Sequence, residues 1–581
     1  MATPNTKSIR IRSNLILGFF LLLLLAVMVR LFWLGVWNHK FLLEKSQRQY
    51  DSFIEVASRR GNIYDRQGRD LAVSLQVESL FAVPSQIKSP VIAAQHLSPV
   101  LQLPATEISQ KLAHSKGFVW LKRRMPPKEV EEVKNLNLPG LFFTKESKRF
   151  YPHKELAAHL VGFTSVDDVG QEGAEFQFEQ YLKGGRAKIP ALRDALGRAI
   201  VPAGWQGRDQ SQGQNLILTI DQVIQNIAER HLQAAISQYS ALGGTIIVTN
   251  PKTGEILALA NQPTFNANNH MEYNPTAYRN RAISHLYEPG STFKLVVTVG
   301  ALEEKAAKVV DKFYCEQGTI EIAGVTIRDH DKYGWLTFSK VIEQSSNVGT
   351  IKIGRRLGSA RLYKYIQELG FGQKTGIELP GEASGLLKSP AHWSALSPAT
   401  MSIGQEVAVT PLQLAMAYGA AANGGYLMKP QIVKSLQEPG GKIIKENTPQ
   451  TIRRVMSTET YQTLLPILEG VVRWGTGAKA QVPGYVAAGK TGTAQKTDPT
   501  TGRYSQIRGV ASFVGFVPSR NPKILILVVI DEPKAGHGWG GTVAAPVFRE
   551  VAKETLIYLG VAPQQSLKYQ VAQQTGPGDK N

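Results

Sequence analysis

A single cysteine, Cys315, stands among 581 residues, so the chain has no internal disulfide and no metal cluster built on cysteine. That lone thiol reads as a small packed residue. No zinc-finger spacing occurs, and no run interleaves aromatic with basic residues as RNA-binding signatures do. The histidines are scattered, and neither His-Glu-x-x-His nor Gly-x-Ser-x-Gly is present, which sets aside a zincin and an α/β-hydrolase triad. Acidic residues are in deficit: 66 Lys and Arg against 46 Asp and Glu leave a net charge of +20. That excess favours anionic partners, a membrane surface or an acidic polymer, since no nucleic-acid motif accompanies it. Hydrophobic residues at 43% and charged residues at 19% describe a globular chain with ample core, of about two to four domains.

What is there begins with an anchor. Lys7, Arg10 and Arg12 precede an apolar stretch from Leu15 to Trp37, interrupted only by Arg30. As a helix it would measure about 35 Å, enough to cross a bilayer with tilt. A cleaved signal peptide would have a shorter apolar region and a small-residue cleavage site, whereas this one ends LFWLGVWNHK. The basic amino side predicts a cytoplasmic tail at 1–14, an uncleaved span at 15–37 and the remainder outside. Arg30 lies nearer the outer end, where it either snorkels or meets a partner helix.

Residues 38–215 read as a second region. ASRRGNIYDRQGRDLAVS alternates polar and apolar residues around Asp65-Arg66-Gln67-Gly68 and predicts a hairpin. ATEISQKLAHSK and PPKEVEEVKNL predict amphipathic helices. Nothing here assembles a site, so a scaffold or docking module is expected, ending in the polar stretch GRDQSQGQN.

The third region spans 216–560, with 561–581 a polar tail. A strand at LILTID, a long helix at QVIQNIAERHLQAAISQY and two strands in GGTIIVTNPKTGEILALA open it. Helices follow, then three consecutive strands in YVAAGKTGTAQK, ASFVGFVP and KILILVVIDE, and a closing helix at PVFREVAKETLIYLG. The class expected is α+β: an antiparallel sheet flanked by helices, with an all-helical part between.

The chemistry gathers around Tyr287-Glu288-Pro289-Gly290-Ser291-Thr292-Phe293-Lys294. Pro-Gly turns the chain and the apolar run beyond continues at helical spacing, so Ser291 should open a helix with Lys294 one turn on, facing it. A lysine with a lowered pKa can take the proton from a serine nucleophile. Ser85-Gln86-Ile87-Lys88 repeats the spacing, but Pro84 and Pro90 argue against a helix there, and it reads as surface. Ser-x-x-Lys followed by Ser-x-Asn and Lys-Thr-Gly marks the penicillin-interacting serine enzymes. Ser345-Ser346-Asn347 supplies the second element; Ser519-Arg520-Asn521 also fits the pattern but reads as a turn between strands. Of three Lys-Thr-Gly triplets, Lys252 sits in a hairpin turn and Lys374 in a loop. Lys490-Thr491-Gly492-Thr493 alone lies in a strand-like pattern, comes last and carries the extra threonine.

Each element has a task. Lys490 offers positive charge to a substrate carboxylate, and Thr491 and Thr493 offer hydroxyls. Gly492 lets substrate backbone approach the strand. Ser345 relays a proton between Lys294 and a leaving amine, and Asn347 holds Lys294 and a substrate amide. The N–H groups of Ser291 and Thr493 make the oxyanion hole. Asp329-His330-Asp331 lies in the polar run RDHDKYG and reads as a solvated loop.

With these residues the chain resembles a class B penicillin-binding protein, most closely the division-specific FtsI type. RRGNIYDRQGRDLAVS, ESKRFYP, AAHLVGFTSVDDVGQEGAE, YEPGSTFK, SSNVG, VTPLQLA, KTGTAQK and GGTVAAPVF carry the resemblance over nearly the whole length. It implies a non-catalytic pedestal, in which Arg59, Arg60 and Gly61 are structural, and then a transpeptidase domain without cofactor or metal. It implies peptidoglycan D,D-transpeptidation: Ser291 would be acylated by the D-Ala–D-Ala end of a stem peptide, or by a β-lactam, and the amine of a neighbouring stem would take the acyl group. An FtsW-type polymerase and other divisome membrane proteins are the implied partners, at the inner membrane with the catalytic part periplasmic. An elongation-type transpeptidase, a D,D-carboxypeptidase, a β-lactamase, a β-lactam sensor and a divisome scaffold are the rivals. Against a class A β-lactamase, no Glu-x-x-x-Asn loop lies between Asn347 and Lys490.

Overall fold

The structure, a computed structural model, describes residues 6–42, 45, 51–56, 59–114, 119–184, 187–193, 199–200, 212–498, 500–535 and 538–563. It divides into two units. The first comprises Met1–Ser58 and Gly185–Gln212. Helix α1 (Thr6–Phe32) continues through one irregular turn, Trp33–Trp37. The stretch Arg10–Trp37 is long and apolar enough to cross a membrane. Strands Asp51–Val56, Ala187–Arg193 and Ala199–Ile200 form a small antiparallel sheet in the same unit. Parts of the expected boundary stretch 207–215 and of the tail 561–581 fall outside the described residues.

The second unit holds Arg59–Gly184 and Gly213–Asn581. Strand β1 (Ile63–Tyr64) turns back at Gly68 into the long strand β2 (Asp70–Ala82), as the hairpin pattern predicts. Helices α2 (Pro90–Leu101), α3 (Ala105–His114) and α4 (Pro127–Asn135) share a core with strands β3 (Val119–Met125) and β4 (Leu141–Phe150), both paired to β2. Strand β5 (Asn215–Leu218) joins the same sheet in parallel beside β1, and Val433–Gln437 pairs with β5. Residues on both sides of position 215 therefore share one hydrogen-bonded sheet.

Beneath the motifs lies a second sheet. Helix α5 (Gln222–Tyr239) starts at Asp221, whose side chain accepts from the Val223 and Ile224 N–H groups, satisfying donors a helix start leaves free. Strands β6 (Gly243–Thr249) and β7 (Ile256–Gln262) follow. Helices α6 (Lys294–Glu303), α7 (Asn347–Leu357), α8 (Pro411–Ala422) and α9 (Thr458–Arg473) come next. Strands β8 (Ala488–Thr497), β9 (Tyr504–Val517) and β10 (Ile524–Asp531) and helix α10 (Gly540–Tyr558) complete it. The strand order is β7-β6-β10-β9-β8, antiparallel throughout.

Every residue of β6 and β10 is buried. Ile246 and Val248 enter one core with Ile224 and Phe548, while Ile247 between them enters the other with Val296 and Leu414. Helices thus cover both faces, which is why ILILVVID reads as an unbroken apolar run and not as an alternation. The expected architecture is met. One boundary differs: the closing helix begins at Gly540, ahead of Pro546, where the sequence suggested it would start. An interior proline leaves the carbonyl four residues back without its donor; here the Tyr239 hydroxyl donates to Thr542 O at 3.2 Å.

Candidate active site

Ser291 sits in a short 3-10 turn, Gly290–Phe293, that runs into α6, so the nucleophile lies just ahead of the α-helix. The turn is held on three sides. Gly290 N–H donates to Gly404 O at 3.1 Å. Tyr418 of α8 donates to Thr292 O at 2.8 Å, and the Thr292 hydroxyl donates to Pro289 O at 2.7 Å. Glycine is required at two contacts. A β-carbon on Gly404 would lie 2.2 Å from Gly290 O, and one on Gly492 would lie 2.3 Å from Ser512 Oγ and 2.8 Å from Thr292 Cγ2. Gly492 therefore brings strand β8 against the Ser291 turn, a packing task beyond the substrate approach expected of it.

The sequence-distant elements meet. Lys294 is 0% exposed, and its amine donates to Ser345 O at 2.6 Å and to Asn347 Oδ1 at 2.8 Å, with Ser345 Oγ at 3.3 Å. Lys490, 1% exposed, donates to the same Ser345 Oγ at 2.9 Å. Ser291, Ser345, Asn347, Thr491 and Thr493 line one cleft of about 690 Å³. The Ser519 and Lys252 copies lie in turns between strands, and Lys374 lies in a loop. Ser85 and Lys88 are exposed.

Burial pushes the Lys294 amine down to about 7, against an opposing pull from Asp329 and then Cys315. A neutral amine has two hydrogens and one lone pair. Ser345 O and Asn347 Oδ1 take the hydrogens, leaving the lone pair for another proton. Among the described residues no hydrogen bond joins Lys294 to the Ser291 hydroxyl; Ser291 lines the cleft and Lys294 is buried against the lining residues Ser345 and Asn347, without the direct contact the helical spacing suggested. Ser345 Oγ accepts from Lys490 at 2.9 Å and stands 3.3 Å from the Lys294 nitrogen, which leaves its own hydrogen free to be given away. Its backbone is left-handed, φ 61°, a conformation costing about 1–3 kcal/mol for a non-glycine residue and concentrated at functional sites.

Lys490 lies behind the cleft wall that Thr491 and Thr493 form, its pKa driven well below the usual lysine value by burial and then by Lys294. Thr476 Oγ1 and Thr491 Oγ1 are 2.6 Å apart. Gly540 N–H donates to Thr493 Oγ1 at 3.0 Å, leaving the Thr493 hydrogen for the cleft.

Asp329 is where the sequence reading misled. Read as part of a solvated loop, it caps the start of α7. It accepts from the Ser346 hydroxyl at 2.7 Å, from Val348 N–H at 3.0 Å and, in a short contact, from Asn347 N–H. Ser346 in turn accepts from Gly349 N–H at 2.9 Å. A carboxylate here satisfies helix-start donors and fixes Asn347, whose Nδ2 also donates to Arg328 O at 2.8 Å. No periodicity links a residue 17 positions upstream to the motif it holds. Cys315 is buried, as expected.

Comparison with known proteins gives the family. Residues 244–553 match the model of the penicillin-binding protein transpeptidase domain, and residues 55–218 match that of the penicillin-binding protein dimerisation domain. A probable peptidoglycan D,D-transpeptidase PenA of Neisseria meningitidis is 36% identical over 96% of this chain and 94% of its own length. The peptidoglycan D,D-transpeptidase FtsI of Escherichia coli is 34% identical over 95% of this chain and 92% of its own. Stage V sporulation protein D of Bacillus subtilis is 33% identical over 96% and 87%. Among solved structures, penicillin-binding protein 3 of Mycobacterium tuberculosis complexed with aztreonam aligns at a TM-score of 0.68 and 28% identity, covering 89% of this chain and 99% of that one. Matched in both domain models and along nearly its whole length, the chain belongs to the penicillin-binding protein transpeptidase family.

Proposed function

We propose that the protein is a septal peptidoglycan D,D-transpeptidase acting by serine acyl transfer. The observation that carries this reading is the convergence of Lys294 and Lys490 on Ser345 Oγ beside the cleft that Ser291 lines. In the first step the Ser291 hydroxyl attacks the D-Ala–D-Ala carbonyl of a stem peptide as Lys294, neutral near pH 7, takes its proton. The backbone N–H groups of Ser291 and Thr493 stabilise the oxyanion, about 3 kcal/mol per donor. Collapse expels the terminal D-alanine, whose nitrogen receives a proton from Ser345 Oγ, resupplied by the flanking lysines. Thr491 and Thr493 hold the terminal carboxylate, and Lys490 behind them donates to Ser345 Oγ. In the second step the amine of a neighbouring stem attacks the acyl-enzyme through the same relay in reverse. A β-lactam enters as the first substrate does and leaves a stable acyl-enzyme.

The span at 15–37, a pedestal at 38–215 and a catalytic domain at 216–560 give a single-pass inner-membrane protein with the catalytic part outside. An FtsW-type polymerase that lays down the glycan is the partner, docking on the span and pedestal. The basic tail before the span supports the orientation, and the likeness to FtsI supports the septal role. Fluorescent penicillin labelling tests the chemistry: the wild type takes up one label per chain, and Ser291→Ala takes up none. Labelling that survives the substitution would remove the mechanism. Linked stem-peptide dimers, as against D-alanine release alone, separate transpeptidation from carboxypeptidation.

A further inference from the structure

Tryptophan is large and well buried on average, so an exposed one is informative. Four lie between 213 and 563. Trp393 behaves ordinarily: it is half-buried and its indole N–H donates to Lys388 O at 2.9 Å. The other three are 67% (Trp335), 62% (Trp474) and 43% (Trp539) exposed. None of their indole N–H groups has a protein acceptor among the described residues. Each lies in, or within two positions of, a segment that lines the active-site cleft. Trp539 lines it; Trp474 precedes the lining residue Gly475; Trp335 follows the lining residue Tyr333 by two positions.

The rings are held in place. Trp539 packs edge-on against His330 with centroids 4.5 Å apart, joining the Thr493 side of the cleft to the Asn347 side. Trp335 pairs with Tyr314 at 5.4 Å, its strand hydrogen-bonded to the one carrying that tyrosine. The Arg473 guanidinium lies 4.4 Å from the Trp474 ring centroid. Fixed aromatic faces with free N–H donors offer flat apolar contact and a hydrogen bond in one side chain.

We propose that Trp335, Trp474 and Trp539 form a saccharide-binding rim for the glycan strand from which the stem peptide hangs. This rests on the transpeptidase reading, and it adds a subsite for the sugar part of the substrate. The cleft takes the peptide terminus; the strand bearing that peptide must then pass over the mouth. Pyranose rings present one face of C–H groups that packs on an indole, and their hydroxyls and acetamido oxygens accept from indole N–H.

The test uses the full-length chain in detergent and two donors with the same peptide, one on a short glycan oligomer and one without sugar. The wild type should turn over the glycan-linked donor about tenfold more efficiently, a difference of about 1.4 kcal/mol. Trp335→Ala should bring the ratio within about twofold, and Trp335→Tyr should restore most of it. A merely structural effect would slow both donors alike and leave the ratio intact, which would overturn the proposal. So would failure of a peptide-free glycan oligomer to quench the wild-type tryptophan fluorescence. Loss of β-lactam acylation at Ser291 in the wild type would instead strike the transpeptidase reading, which the ratio does not measure.

Discussion

Two buried polar clusters in the same unit are built on opposite electrostatic plans. In the first, Arg60 and Arg149 flank Glu175, at 2.7 and 2.6 Å, and Arg60 reaches Glu179 at 2.6 Å. Burial alone would raise the Glu175 carboxyl, but Arg149 and Arg60 hold it below its ordinary range. Glu175 and Glu179 likewise outweigh burial at Arg60 and raise its pKa. Two cations meet two anions, and Glu175 and Arg60 are each held in the charged form. In the second, Lys294 and Lys490 share one hydroxyl, and among the described residues no carboxylate pairs with either amine. Burial wins there, and both amines are pushed toward neutrality. Balanced charge makes a strut; unbalanced charge of one sign makes an acid–base centre.

The largest break in that comparison is expected at the lysine. Lys294→Ala should slow acylation by fluorescent penicillin about 10²–10⁴-fold while leaving the reversible affinity, measured by competition at short times, nearly intact. Normal acylation would deny the amine its role as base. Glu175→Ala should do the converse. It leaves the buried Arg149 without its carboxylate and Arg60 with Glu179 alone, so urea unfolding should report a loss of about 3–5 kcal/mol, with the acylation rate per folded molecule unchanged. The strut's dependence on acid has a definite sign: Glu175 is depressed when folded, so its contribution holds above the ordinary glutamate value and is lost as pH falls through the lowered one.

How far all this could be read from the chain follows from the same contrast. Ser291, Lys294 and Lys490 were legible because each sits in an element with strong periodicity: a Pro-Gly turn into an apolar helix, and a strand before two more. The three-layer core was legible from runs such as ILILVVID. Asp329 was not, because a carboxylate in RDHDKYG looks the same whether it faces water or the start of a helix in another part of the fold. Nor was the depth of Lys490, because a lysine in a strand pattern is ordinarily read as exposed. The start of α10 was missed because Pro546 mimics a first helical residue when the Tyr239 hydroxyl that satisfies Thr542 O cannot be seen.

A pH profile sharpens the difference without altering a residue. Protonation of Lys294 removes the lone pair, so acylation should fall about tenfold per unit below pH 7 and level off above it. The Lys294→Ala variant, having no amine to titrate, should lose that limb. A wild-type profile that stayed flat through this range would mean that the amine is not the group being titrated.

The smallest effects belong to the look-alike triplets. Lys252 is exposed and donates to Asn521 Oδ1 at 2.7 Å, and Lys374 is an exposed loop residue. Neither lines the cleft. Lys252→Ala and Lys374→Ala should each shift stability by less than about 0.5 kcal/mol and leave penicillin acylation unaltered. If either slowed acylation as Lys490→Ala should, burial beside a second amine would not be what separates a working Lys-Thr-Gly from a turn of the same letters. The strand that buries Lys490 against Ser345 Oγ, and not the triplet itself, carries the distinction.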